Sequence, residues 1–408
     1  MRIALISYEF AGNADTGGIG TYMRNAARML VQRGHDVEVF TGGVPSSHEA
    51  DSNLRVHGVA RSHADFAEAI VVPFTERHRA APFDVAEAPE YRADAAAVAR
   101  AFPALPLVVK LHTPSVLVSL INMQPLSPVA KARFIGGSLI RGRLPQPYWS
   151  YNRAADYELE HVRRATVVAA PCRAIVSALA PLWDLRLDDV DIVPNVFSPV
   201  PALLELDPAS RTNVVSFFGR QEPRKGIWHF VQAIPQILRR FPAAQFRIIG
   251  RPADGAMAAR LREYLAPFAR CVEIVPGVAY DEMPRYYGAT DICVAPSLWE
   301  NFPNVCLEGM AAGRGVIGST AGGMSEIIAD GETGLLVPPG SAEAIAEAVV
   351  GLLDNPDRRI AMGTAARRHV QDAYGVQAVA PLQEALYRKA IAKRGERAMR
   401  QLSAAGAA

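Results

Sequence analysis

"VVSFFGRQEPRKGIWHFVQAIPQIL" (214–238) is the stretch on which the fold turns. Val214 to Gly219 is a short apolar run of strand-forming residues. A polar turn follows. From near Gly226 the apolar residues Ile227, Phe230, Val231, Ile234 and Leu238 recur at helical spacing, with Pro235 a kink inside the helix. Strand, short turn and helix together form the repeating unit of a parallel sheet covered by helices. A helix that starts just after such a strand offers free N–H groups and a positive dipole end to an anion. Arg220 and Lys225 add two cations, a set suited to a diphosphate; the alternative is that both are solvated loop bases.

The same alternation extends both ways. Downstream, strands are expected at 245–250, 271–277, 291–297, 315–320 and 334–340, with helices between them. Upstream they are expected at 2–8, 37–42, 54–60, 83–88, 106–112, 165–171 and 191–195. The helix "IGTYMRNAARMLVQRG" (19–34) carries Tyr22, Ala26, Met29 and Leu30 on one face and stops at Gly34. Residues 203–213, polar and containing Pro208, read as a connector. The fold class is therefore α/β: two tandem Rossmann-like doubly wound domains with a cleft between them. Residues 1–198 form the first domain and 199–379 the second. A basic helix at about 380–401 is expected to pack back on the first domain, and "LSAAGAA" (402–408) to fray. A chain of 408 residues exceeds what one core usually holds.

Composition narrows the function. The 43 basic and 41 acidic residues nearly balance, which argues against bulk nucleic-acid binding. Cys172, Cys271, Cys293 and Cys306 show no metal-type pairing and fit a reducing compartment. "MRIALISYEF" reads as a first strand, not a signal peptide, and no apolar run approaches the ~20 residues of a membrane span. A cytoplasmic protein is expected. Residues 114–150 are long for a loop and carry Lys131, Arg133, Arg141 and Arg143 among apolar residues. They read as one or two extra helices, or as an acceptor platform with peripheral membrane contact through 131–143 at the inner membrane face.

Further groups fall at strand ends, where open α/β sheets bind ligands. Glu300 lies in the loop after the strand at 291–297, and Glu308 about one turn into the helix 304–313. Carboxylates there can accept hydrogen bonds from vicinal hydroxyls of a ribose or sugar; a helix-capping role for Glu308 is the alternative. Gly17 and Gly18 lie between the first strand and first helix, where backbone can approach a ligand. They do not complete a dinucleotide fingerprint, because Met23 stands where the third glycine belongs. His112 ends a central strand and points at the same cleft, although a lone strand-end His is usually structural.

"FFGRQEPRKG" (217–226), "SLWENFPNVCLEGMAAGRGVIGSTAGGMSEII" (297–328) and "DGETGLLVPPG" (330–340), in this order, resemble the donor domain of family 4 retaining glycosyltransferases. These have the two-Rossmann GT-B fold, and the resemblance spans nearly the whole chain. It implies that Arg220 and Lys225 grip the donor diphosphate and that Glu308 holds the ribose hydroxyls. Glu300 would contact the donor sugar, with His112 near the transferred sugar. Donor contacts are implied as well for Gly17, Gly18, Gly277, Val278, Asn301, Phe302, Asn304 and Val305. The family's linker glycine and aspartate are missing from "PNVFSP" (194–199), and Pro303 removes a backbone donor where many members have Gly.

The implied activity is transfer of a hexose from a nucleotide-diphosphate sugar, with retention by same-face attack, to a saccharide, lipid-linked or small-molecule acceptor. No cofactor or metal is implied. The one Asp-x-Asp string, Asp189-Val190-Asp191, precedes a strand and so falls on the edge away from the ligand. Two other readings stand beside this one: a nucleotide-sugar 2-epimerase of the same fold, and a non-catalytic subunit of a glycosylation complex.

Overall fold

The computed structural model describes residues 1–10, 17–43, 47–48, 53–60, 62–122, 128–140 and 151–405. Two sheets account for the strands. The first holds β1 (Arg2–Ile6), β2 (Asp36–Gly42), β3 (Ser47–His48), β4 (Leu54–Ala60), β5 (Val85–Pro89), β6 (Leu107–Lys110), β7 (Val167–Ala170) and β8 (Val190–Ile192), in the order β3-β4-β2-β1-β5-β6-β7-β8. The second holds β9 (Val214–Phe218), β10 (Gln245–Ile249), β11 (Val272–Val275), β12 (Ile292–Ala295), β13 (Gly315–Ser319) and β14 (Leu335–Val337), in the order β11-β10-β9-β12-β13-β14. Every pairing is parallel except β3 with β4, whose two residues are too few to leave a periodicity in the sequence.

Strand order reverses between β1 and β5 in the first sheet and between β9 and β12 in the second. Ligand crevices of open parallel sheets form at such switch points, beyond the strand C-termini. The helices beside these crevices are α1 (Gly18–Gln32), α2 (Arg173–Trp183), α3 (Ile227–Arg240), α4 (Asn304–Ala311) and α5 (Val376–Ala405). On α3 the apolar stripe Ile227, Phe230, Val231, Ile234 and Ile237 is buried against Val215 and Phe217 of β9. Ile237 takes the core place expected of Leu238, which packs at the edge. The final helix, α5, leaves the second sheet and buries Val379, Ala380, Leu386, Tyr387 and Ala390 with the α1 residues Tyr22, Met23 and Ala26. It runs to Ala405, into the stretch expected to fray.

One expected feature shifts, and the long 114–150 segment takes the helical form expected of it where it is described. Residues Pro201–Leu204, half inside the supposed connector, form a short helix with Leu203 buried. The 114–150 segment contains helices at Ser115–Asn122 and Pro128–Ile140, while Arg141 and Arg143 lie outside the described residues. No described helix is long and apolar enough to cross a membrane.

Candidate active site

The turn after β9 is pinned against the loop after β12. Gly226 has φ +74°, and a Cβ there would stand 2.0 Å from the Pro296 carbonyl oxygen, so only glycine lets the two backbones meet. The amide of Leu298 donates to Arg224 O at 2.8 Å across the same contact. This seats Lys225 Nζ 2.5 Å from Glu300 Oε1, with Arg224 Nη1 at 3.5 Å from the same oxygen. Burial pushes the Glu300 carboxyl up, but the Lys225 and Arg224 charges outweigh it and hold the group below its usual range. Arg220 reaches outward, with its side chain 66% exposed and Nη2 3.4 Å from Glu222. The amides of Lys225 and Gly226 already donate to Glu222 and Pro223. Cationic side chains are therefore more available to an anion there than those two N–H groups.

Glu308 sits on α4 in a different state. It is buried, and the Tyr287 hydroxyl donates to Oε2 at 2.9 Å. Burial pushes its carboxyl up to about 7, against the Tyr287 bond and the charge of Arg24. Between the two glutamates, Asn301 is buried and Phe302 half-buried, and Asn304 and Val305 open α4 behind Pro303. Gly322 and Gly323 hold this loop from behind. Cβ atoms there would come within 1.9 Å of Glu300 O and Asn301 O, and Gly323 N donates to Glu300 O at 2.8 Å. Gly277 and Val278 lie beyond β11, with Val278 packed at the edge of the core that contains Tyr287.

Asn301 crosses to the first sheet. Its Nδ2 donates to the backbone oxygen of His112, and the Cys172 Sγ lies 3.1 Å from its Oδ1. His112 stands just past β6 rather than within it. Its amide donates to Glu90 Oε2 at 2.7 Å, its ring tilts against Tyr22, and its Nε2 is buried without a partner. Burial and the nearby Lys110 push this imidazole down to about 3, so it is neutral at pH 7. Glu90 is fully buried, its Oε1 has no partner, and burial pushes its carboxyl up to about 8. Gly17 donates its amide to Glu9 Oε2 at 3.0 Å, while Gly18 is open.

Lys225, Glu300 and Asn301 thus meet in one loop system, and His112 meets it through Asn301; Arg220 turns outward, Gly277 and Val278 lie beyond β11, and Gly17 and Gly18 make no contact with Asn301. Sequence reasoning passed over Arg224, Arg24 and Glu326, and reached Glu90 only as part of the acceptor-side stretch "EAPEYRAD" (87–94). Arg224 was readable, as it neighbours Lys225 in the same basic turn. Glu90 pairs within the first domain, with the His112 amide, while Arg24 and Glu326 act across the cleft and leave no local pattern. Among the described residues no group of three or more His, Cys, Asp or Glu is arranged to hold a metal ion.

The chain matches two families of known proteins. Residues 17–196 match the glycosyl transferase 4-like domain, and residues 212–355 match glycosyl transferases group 1. The chain belongs to the family 4, group 1 glycosyltransferases. Its relatives include the D-inositol 3-phosphate glycosyltransferase of Rhodococcus opacus, 27% identical over 91% of this chain and 86% of that one. The enzyme of the same name from Corynebacterium glutamicum is 26% identical over 96% and 97%. Among solved structures, sucrose-phosphate synthase from Thermosynechococcus elongatus superposes with a TM-score of 0.72 at 22% identity, over 96% of this chain and 99% of that one. HepE of Anabaena, solved in complex with UDP, gives 0.67 at 18% identity, over 95% and 99%. The fold is GT-B, and this glycosyltransferase moves a sugar from a nucleotide sugar.

Proposed function

We propose that this glycosyltransferase retains anomeric configuration and moves a hexose from a nucleoside-diphosphate sugar to a small phosphorylated polyol. Glu300 carries the reading. A buried carboxylate kept ionised by Lys225 and Arg224, at the switch point of the second sheet, can orient sugar hydroxyls. Glu308 accepts from the ribose, and Arg220 and Lys225 stabilise charge on the departing diphosphate. Gly17, Gly18, Gly277, Val278, Asn301, Phe302, Asn304 and Val305 complete the donor surface. His112, neutral, lines the first-domain side, and its backbone oxygen is already fixed by Asn301. The acceptor class is suggested by relatives named for D-inositol 3-phosphate, ahead of a glycan or lipid-linked acceptor.

Residues 1–198 would hold the acceptor and 199–379 the donor. Four free cysteines, three of them buried, support a cytoplasmic setting. The helix Pro128–Ile140 exposes Val129, Leu139 and Ile140 beside Lys131 and Arg133. It is the candidate for peripheral membrane contact.

The test is incubation with UDP-, GDP- and ADP-hexoses, with and without D-inositol 3-phosphate, read by proton NMR. A new glycoside with the donor's anomeric configuration supports the reading. An epimerised donor formed without any acceptor would replace it with the isomerase.

A further inference from the structure

Arg24 belongs to the first domain yet leans on the second. It lies on α1, and its guanidinium carbon is 5.1 Å from the ring centroid of Tyr280, just past the Gly277–Val278 turn. Its Nε is buried without a hydrogen-bond partner. Its guanidinium also hydrogen-bonds the Tyr280 side chain, which leaves the buried Nε as the donor available to a planar or tetrahedral anion. Across the cleft Arg24 also acts on Glu308, whose ionised form it favours and whose charge in turn acts on Tyr280. A carboxylate that would hold a ribose and a cation with a free donor therefore flank the same space from opposite domains.

We propose that Arg24 is a positioning residue of the donor site, a first-domain guanidinium that takes the diphosphate of the nucleotide whose ribose rests on Glu308. The nucleotide is then held by this first-domain side chain as well as by the second domain. This rests on the donor placement proposed above. Arg24 touches no reacting atom; it acts by holding the leaving group in place.

The experiment uses the full chain. UDP, GDP and ADP are ranked by thermal shift, and the strongest is titrated calorimetrically, beside its nucleoside, into wild type, Arg24→Gln, Arg24→Lys and Glu308→Gln. Arg24→Gln is expected to weaken diphosphate binding about ten- to hundredfold and nucleoside binding less than about threefold, the scale of a charge-assisted hydrogen bond. Arg24→Lys should recover part of the loss. A second readout separates this from a packing role. Glu308 faces Arg24 on α1, Tyr280, Tyr287, Cys293 and Cys306. Removing the only cation among them should move the pH midpoint of nucleotide binding upward in Arg24→Gln and not in Arg24→Lys. Equal losses for nucleoside and diphosphate, or unchanged diphosphate affinity in Arg24→Gln, would overturn the proposal. If no nucleotide binds wild type, or Glu308→Gln binds normally, the donor placement itself fails.

Discussion

Glu300 and Glu308 stand in one loop–helix unit, yet their surroundings leave them in opposite states. Lys225 and Arg224 hold Glu300 below the usual range, so what it adds to stability is present above its unfolded value of 4.5 and lost as pH falls through its folded value. Glu308 runs the other way. Its folded value, pushed to about 7, means that its contribution is full below 4.5 and lost as pH rises through 7. Between pH 5 and 8 only Glu308 of this pair titrates, and without nucleotide the protein carries a burial cost at pH 8 that it lacks at pH 5. Glu308→Gln is therefore expected to stabilise the unliganded protein at pH 8, by on the order of 1–3 kcal/mol, and much less at pH 5. The same variant should bind nucleoside diphosphate more weakly, since an amide is a poorer acceptor for two hydroxyls. Glu300→Gln should cut turnover and leave diphosphate affinity nearly intact. Melting curves at the two pH values and calorimetry check both; equal loss of diphosphate affinity in the two variants would sink the separation of roles.

At the scale of elements, α2 begins without a side-chain cap of its own, because Cys172 precedes it. Its first amides are capped instead by Glu326 of the second domain, which accepts from Arg173 N at 2.9 Å and Ala174 N at 2.8 Å. A carboxylate at a helix N-terminus contributes about 0.5–2 kcal/mol, and here that energy favours the closed cleft. Glu326→Ala should raise KM for donor about two- to tenfold with a smaller change in kcat, and small-angle scattering should show a larger radius of gyration. An unchanged radius would detach the cap from closure. Such contacts explain what could be read beforehand. Strands such as β1 and β12 were legible because parallel strands buried on both faces read as continuous apolar runs. The Glu300–Glu308 pair was legible as charge set in apolar sequence. Glu326, Arg24 and the bond of Asn301 to His112 were not, since the partners lie on the other sheet and no local period encodes how two sheets face each other.

At the scale of the whole molecule, α5 ties the chain's end to the first sheet. Glu87 of β5 accepts from the Tyr22, Gln383 and Tyr387 side chains, and Lys110 of β6 reaches Tyr22 Oη at 3.2 Å and Gln383 Oε1 at 3.5 Å. Lys110 is fully buried, and burial pushes its ammonium down to about 8. Lys110→Met would remove the cation that faces Glu87 and its bonds to Tyr22 and Gln383, at a cost of about 1–3 kcal/mol. Denaturant unfolding should show that loss, and a Lys110→Met, Glu87→Gln double variant should recover much of it.

The same helix bears on metal dependence. Lys389 Nζ holds both carboxylate oxygens of Asp191 at 2.7 Å, and Asp189 lies in the turn just before β8. The Asp-x-Asp string is thus engaged at the N-terminal end of an edge strand, away from the crevice at the strand C-termini. The positive charge at Glu300 comes from Arg224 and Lys225, with Arg220 at Glu222 of the same turn. A developing diphosphate charge can be met by those side chains and by Arg24. Turnover should therefore persist in excess EDTA, and an Asp189→Asn, Asp191→Asn double variant should keep its kcat/KM while losing some stability through the freed Lys389. Activity abolished by EDTA and restored by Mg²⁺ or Mn²⁺ would mean that these cations do not suffice to neutralise the leaving group.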